Sequence, residues 1–168
     1  MNTKFFKLII VVIIAILIFV GIVFFPRHYE SIAFAENLSF GMLPLEVCTR
    51  YGLPDQREKS TLTQEVTYLY SEEFCGYSAI FRFSFVRSSL RHELNRASLH
   101  VDVPEGEIND FYEHIVDICR EKYQSLAAYD EEIGSNHATL SSRDGAIFMT
   151  CIITKEKTSV VVTITRIW

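Results

Sequence analysis

From Leu8 to Phe25 the chain carries no charged and no polar side chain: LIIVVIIAILIFVGIVFF, with Lys4 and Lys7 just before it and Pro26-Arg27-His28 just after. Roughly eighteen residues of helix rise about 27 Å, close to the thickness of a bilayer's hydrocarbon core. In lipid the backbone must satisfy its own hydrogen bonds, which a helix does. A soluble helix of this length would need a polar face, and none is present. The run therefore predicts a membrane-spanning anchor at residues 8–25, behind a cytoplasmic tail at residues 1–7. Lys4, Lys7 and the terminal amine outweigh Arg27, which places the rest of the chain outside the cytoplasm. The alternative is a cleaved secretory signal, with Ala33-Phe34-Ala35 as an A-x-A site releasing a secreted domain near Ala35. The run exceeds the usual 7–15 residues of a signal core, and Arg27 to Glu30 separate it from that site. No ionisable residue interrupts the run and it holds no Gly-x-x-x-Gly pair, so it reads as an anchor rather than a pore or pairing helix.

About 140 residues remain, enough for one domain with a real core. Residues 26–37 read as a tether, with Ile32, Phe34 and Leu38 placed to dock back, and residues 38–168 as the domain. The net charge of −5 includes Lys4 and Lys7. The outer part is more acidic still, which argues against a nucleic-acid partner.

In Gly41-Met42-Leu43-Pro44-Leu45-Glu46-Val47-Cys48-Thr49-Arg50-Tyr51-Gly52-Leu53-Pro54, Pro44 fits a first helical turn, Gly52 a left-handed cap, and Pro54 a stop. A two-turn helix follows, on which Leu45, Cys48 and Tyr51 are expected to share a face. Val66, Tyr68 and Tyr70, then Phe81, Phe83 and Phe85, then Leu99, Val101 and Val103 alternate with polar or smaller neighbours as half-buried strands do. In the second half, Ile108, Phe111, Ile115, Ile118 and Cys119 fall at helical spacing between about Glu107 and Leu126. Asp144-Gly145 marks a hairpin between strands near 138–141 and 146–154, and Val160 to Thr165 forms a last strand. The expectation is an α+β class, with helices on one face of an antiparallel sheet. It consists of two halves, 38–103 and 104–168, each a helix and about three strands.

The stretch Phe40-Gly41-Met42, Glu46-Val47, Tyr51-Gly52-Leu53-Pro54-Asp55, followed by Tyr68 and Tyr70, resembles small exported α/β modules. Among these are the outer-membrane assembly lipoproteins of the SmpA/OmlA (BamE) type and the β-lactamase inhibitor proteins. The likeness spans about Leu38 to Val103. It implies a non-enzymatic module that binds another envelope or secreted protein through its sheet or loops. No cysteine closely follows the apolar run, so the lipid anchor of the lipoproteins is not matched.

Motifs of chemistry are sparse. The five histidines, His28, His92, His100, His114 and His137, form no His-x-x-x-His pair, and there is no Cys-x-x-Cys; neither a metal nor a cofactor is expected. No nucleophile elbow or phosphate loop is present. Asp130-Glu131-Glu132 reads as a charged loop. Two features stand above this background. Arg82, Arg87, Arg91, His92 and Arg96 concentrate positive charge in an acidic domain, either as ordinary surface or as a docking patch for an acidic partner or anionic headgroups. Cys48, Cys75, Cys119 and Cys151 are either buried free thiols or two disulfides, Cys48–Cys75 and Cys119–Cys151. The expected function is a membrane-anchored extracytoplasmic protein-interaction module of the cell envelope, non-catalytic, in an accessory, assembly or inhibitor role. The alternative is an enzyme, thiol-dependent or hydrolytic, whose site is assembled from distant residues.

Overall fold

The computed structural model describes residues 12–14, 30–88, 91–144 and 147–167. Apart from the helical residues 12–14, the expected span at 8–25 lies outside the described residues. Among the described residues no helix is long and apolar enough to cross a membrane.

The domain opens with a small hairpin, β1 (Ser31–Ile32) and β2 (Ala35–Ser39). Helix α1 (Pro44–Tyr51) is followed by β3 (Gln56–Lys59), β4 (Val66–Phe74), β5 (Tyr77–Ser88) and β6 (Arg91–Asp102). Helix α2 (Ile108–Tyr123) is followed by β7 (Asp130–Ile133), β8 (His137–Asp144), β9 (Ile147–Lys155) and β10 (Ser159–Ile167). The last eight strands make one sheet in the order β3-β4-β5-β6-β10-β9-β8-β7, with every neighbour antiparallel. The order reads as two four-strand meanders joined where the closing strand of each, β6 and β10, pair from Ser159↔Asp102 to Thr165↔Arg96.

The class is thus mainly β, which corrects the α+β expectation: strands hold 53% and helices 20% of the described residues. Each half has four strands rather than three. The two unforeseen strands, Gln-Arg-Glu-Lys in β3 and Asp-Glu-Glu-Ile in β7, are exposed along their whole length at the two sheet edges. An edge strand that buries neither face needs no apolar alternation, and charge there discourages pairing with another chain. The Asp130-Glu131-Glu132 run is therefore an edge strand, not a loop.

Local chemistry accounts for the connections. Glu46 at the third helical position of α1 accepts a hydrogen bond from the Leu43 N–H at 2.7 Å, and Gly52, at φ 102°, ends the helix. The β4–β5 hairpin turns on Cys75 and Gly76, both at positive φ, which matches the twist of the flanking strands. The β5–β6 register shifts after Ser84, and Asn95 at this irregularity donates through its side-chain amide to the Arg166 carbonyl at 2.5 Å.

One continuous core lies between the helices and the sheet. Residues of the expected tether belong to it: Ile32 is fully buried and Ala33, Phe34 and Ala35 are buried, with Leu38, Phe40 and Met42 of the domain following them. The Tyr123 hydroxyl accepts the Ala33 N–H at 2.9 Å and donates to the Ser31 carbonyl. Helix α1 turns Val47 inward and leaves Leu45 76% exposed, so the expected shared face of Leu45, Cys48 and Tyr51 is corrected.

Candidate functional site

Both helices and the hairpin pack on one face of the sheet; nothing covers the other among the described residues. Strand alternation that sends Phe81, Phe83, Leu99, Val101, Val162 and Ile164 into the core sends their neighbours outward. The pairing register sets these in rows. One row runs Leu69, Arg82, Ser98, Thr163, Ile152 and Thr139; the next runs Thr67, Ser84, Arg96, Thr165, Thr150 and Ser141. The surface is rich in hydroxyls, two pairs of which are bonded across strands, Thr67 with Ser84 at 2.9 Å and Ser98 with Thr163 at 3.3 Å. Toward β9 it becomes apolar: Phe148 and Ile152 are 38% and 39% exposed. Over the β5–β6–β10 centre lies a shallow depression of about 460 Å³ lined by Ile80, Arg82, Ser98, His100, Val161 and Thr163.

The structure divides the cationic cluster read from sequence. Arg82 and Arg96 stand on this open face in adjacent strands, because Arg82 pairs with Ser98 and Arg96 with Ser84. Both are exposed, and neither makes an ion pair among the described residues. The nearby His100 is bonded to Asp102 at 3.3 Å. The other members lie at the end of the sheet. Arg87 donates to the Gln64 side chain at 3.1 Å, His92 contacts the Gln64 carbonyl at 2.9 Å, and Arg91 is paired with Glu93 at 2.6 Å. Sequence adjacency had merged two surfaces that the strand direction separates.

The cysteines are four free thiols. Cys119 on α2 and Cys151 on β9, both buried, are in hydrogen-bond contact with each other. Cys48 meets Tyr68 and Tyr70 instead, and Cys75 is exposed at the β4–β5 turn. Burial raises the Cys75 thiol pKa, and the Cys119 contact followed by burial raises that of Cys151. A thiol nucleophile requires the opposite shift. The phenols move the same way: burial, then the Glu72 carboxylate, raises Tyr51, while burial, then Cys48, raises Tyr70. Each of these groups is held in its neutral form, as packing roles require. Among the described residues no group of three or more His, Cys, Asp or Glu is placed to hold a metal ion.

The open face was legible only in part. Alternation gave its residues strand by strand, but not the pairing register that sets them in rows. The chain matches no protein-family model, no curated protein and no solved structure.

Proposed function

We propose that this is a membrane-anchored, extracytoplasmic, non-catalytic module that binds an acidic protein partner across the open face of its sheet. The observation that carries the reading is a wide uncovered face with Arg82 and Arg96 on β5 and β6 and exposed Phe148 and Ile152 on β9, across β10 from them. Arginine and aromatic residues are enriched at protein interfaces, and charge complementarity sets partner choice. The apolar run at residues 8–25 supports the anchor, and the resemblance of residues 38–103 to exported binding modules supports an accessory role. The raised thiols and phenols favour binding over a thiol-dependent enzyme.

A photoreactive residue at Thr163 in the full chain tests this in cells, with a second at Glu113 on the exposed side of α2 as control. The expected result is an adduct from Thr163 alone, joined to an Asp/Glu-rich segment of its partner and lost in Arg82→Ser/Arg96→Ser. The double variant should change folding stability by less than about 0.5 kcal/mol. An adduct that survives the double variant, or one formed only from Glu113, would overturn the reading.

A further inference from the structure

The open face of the sheet carries its own counter-charge. Along one row of side chains Arg82 stands on β5 and Glu132 on the edge strand β7; along the next, Arg96 stands on β6 and Asp130 on β7. All four are exposed, and neither carboxylate makes an ion pair among the described residues. Between these charged flanks lie β10 and β9, where Ile167, Phe148 and Ile152 are 50%, 38% and 39% exposed. They are set among Thr150, Thr163 and Thr165, whose small side chains let a second surface come close.

The flanks are evenly placed. In the strand order, β5 and β7 each lie two and a half strands from the line between β10 and β9. At about 4.8 Å per strand that is about 12 Å on either side. A two-fold axis along this line, parallel to the strands, turns a second copy face to face with the first and keeps every row at its own height. It sets Arg82 of each copy over Glu132 of the other, and Arg96 over Ser141, beside Asp130. Thr163 then faces Ile152, and Ile167 faces Phe148. Packed sheets lie about 10 Å apart, a gap that an arginine and a carboxylate bridge from opposite sides. Aligned sheets cross at about 30°, which moves facing residues by about one row at this distance. Carboxylates in both rows keep the arginines matched.

The remaining charges of the face fit the same axis. Glu93, already bonded to Arg91, comes opposite Arg143, and Asp102 lies at the far end of β6 with His100. Glu58 and Glu73, on β3 and β4, fall outside the six strands that overlap. Six strands of about eight residues cover about 750 Å² per copy, close to the roughly 800 Å² per partner of a standard interface. An axis along the strands also keeps both Glu30 residues at one end of the pair, as two anchors in one membrane require.

We propose that the acidic partner of the open face is a second copy of this chain, related by that two-fold axis. This rests on the binding reading given above and names its partner. The contact is isologous: Arg82 and Arg96 of each copy meet the β7 carboxylates of the other, so the assembly closes at two copies.

The test uses the full chain in detergent micelles, made with two different affinity tags, and measures retrieval of one tag by the other together with sedimentation. The expected result is a dimer. Arg82→Glu/Arg96→Glu and Asp130→Lys/Glu132→Lys should each be monomeric alone, because each sets like charges across the axis. Mixed, the two reversed chains should pair, because both flanks are complementary again; their pairing also shows that both are folded. If either fails to fold, Arg82→Ser and Glu132→Ser replace them, each expected to weaken self-association at least about tenfold. Folded reversed chains that still self-associate, or that do not pair when mixed, would overturn the two-fold. A monomeric wild-type chain whose Thr163 adduct in cells holds a different acidic protein would overturn it and leave the open-face reading standing. A monomeric chain with no Thr163 adduct would overturn both.

Discussion

In the first half of the domain, Tyr51, Tyr70 and Phe83 meet edge to face or tilted, with ring centroids 4.8 to 5.6 Å apart, and Tyr68 meets Phe85 at 4.9 Å. In the second half, Leu140, Met149, Cys151, Ile153, Val162 and Ile164 fill the equivalent space with aliphatic and sulfur side chains. The helices differ to match: α1 has eight residues and buries Val47, whereas α2 has sixteen and buries seven. Large rings let a short helix close its half of the core, because each ring spans the gap that α2 fills with its own side chains. The same order of elements is thus held by two kinds of packing.

The largest effect that would sharpen this comparison is expected at Phe83. Phe83→Ala should cost about 3–5 kcal/mol, and Leu140→Ala in the second half about 2–5 kcal/mol toward the lower end, read from urea midpoints at constant slope. A larger loss at Leu140 would break the account of the ring cluster.

Next in size is the thiol pair, which belongs to the second half alone. Refolding with glutathione disulfide should join Cys119 to Cys151, their two protons and two electrons passing to the glutathione disulfide, which leaves as two glutathione thiols. The closed loop of about 32 residues would stabilise by about 3–4 kcal/mol on the chain-entropy model. Peptide mapping that instead found Cys48 joined to Cys75 would contradict the placement of Cys48 against Tyr68 and Tyr70.

Tyr123→Phe should cost about 1–3 kcal/mol, because it leaves the buried Ala33 N–H without its acceptor. Hydrogen exchange should quicken across the β1–β2 hairpin before it does in the sheet. Uniform loosening would mean that the hairpin is not held from α2.

The smallest effect is a pH dependence to which both halves contribute. A raised folded pKa stabilises below the unfolded value and is lost as pH rises through the folded one. Under reductant, stability should therefore start to fall above about pH 8.5, chiefly through Cys151, and more steeply above about pH 10 through Tyr51, Tyr70, Tyr123 and Tyr129. Each group contributes at most about 1.4 kcal/mol per pH unit. Cys151→Ala should remove the early phase and Tyr70→Phe part of the later one. A single unchanged transition in both variants would show that neither group is linked to folding.

Much of the architecture was written in local pattern. The Phe81-Phe83-Phe85 alternation needs a core on one side of a strand, and Pro44 and Gly52 bracket α1 because one tolerates a missing N–H and the other a positive φ. Strands β3 and β7 were not legible, since an edge strand exposed on both sides leaves no hydrophobic period to detect. Ile32 and Leu38 were expected to dock back on the domain, but the β1–β2 hairpin that carries them was not legible, because a two-residue strand has no periodicity of its own.

For the candidate surface the limit was different. The sequence by itself determined an eighteen-residue apolar run, one acidic domain beyond it, and arginines set among alternating strands, because hydropathy, charge and period are properties of neighbouring residues. Only the tertiary structure decided that Arg82 and Arg96 share the open face while Arg87 and Arg91 share the end beside Glu30. It alone brought Cys119 to Cys151 and left Cys48 with the tyrosines. These outcomes depend on strand register and on which face the helices cover, and both are set by packing between residues distant in the chain.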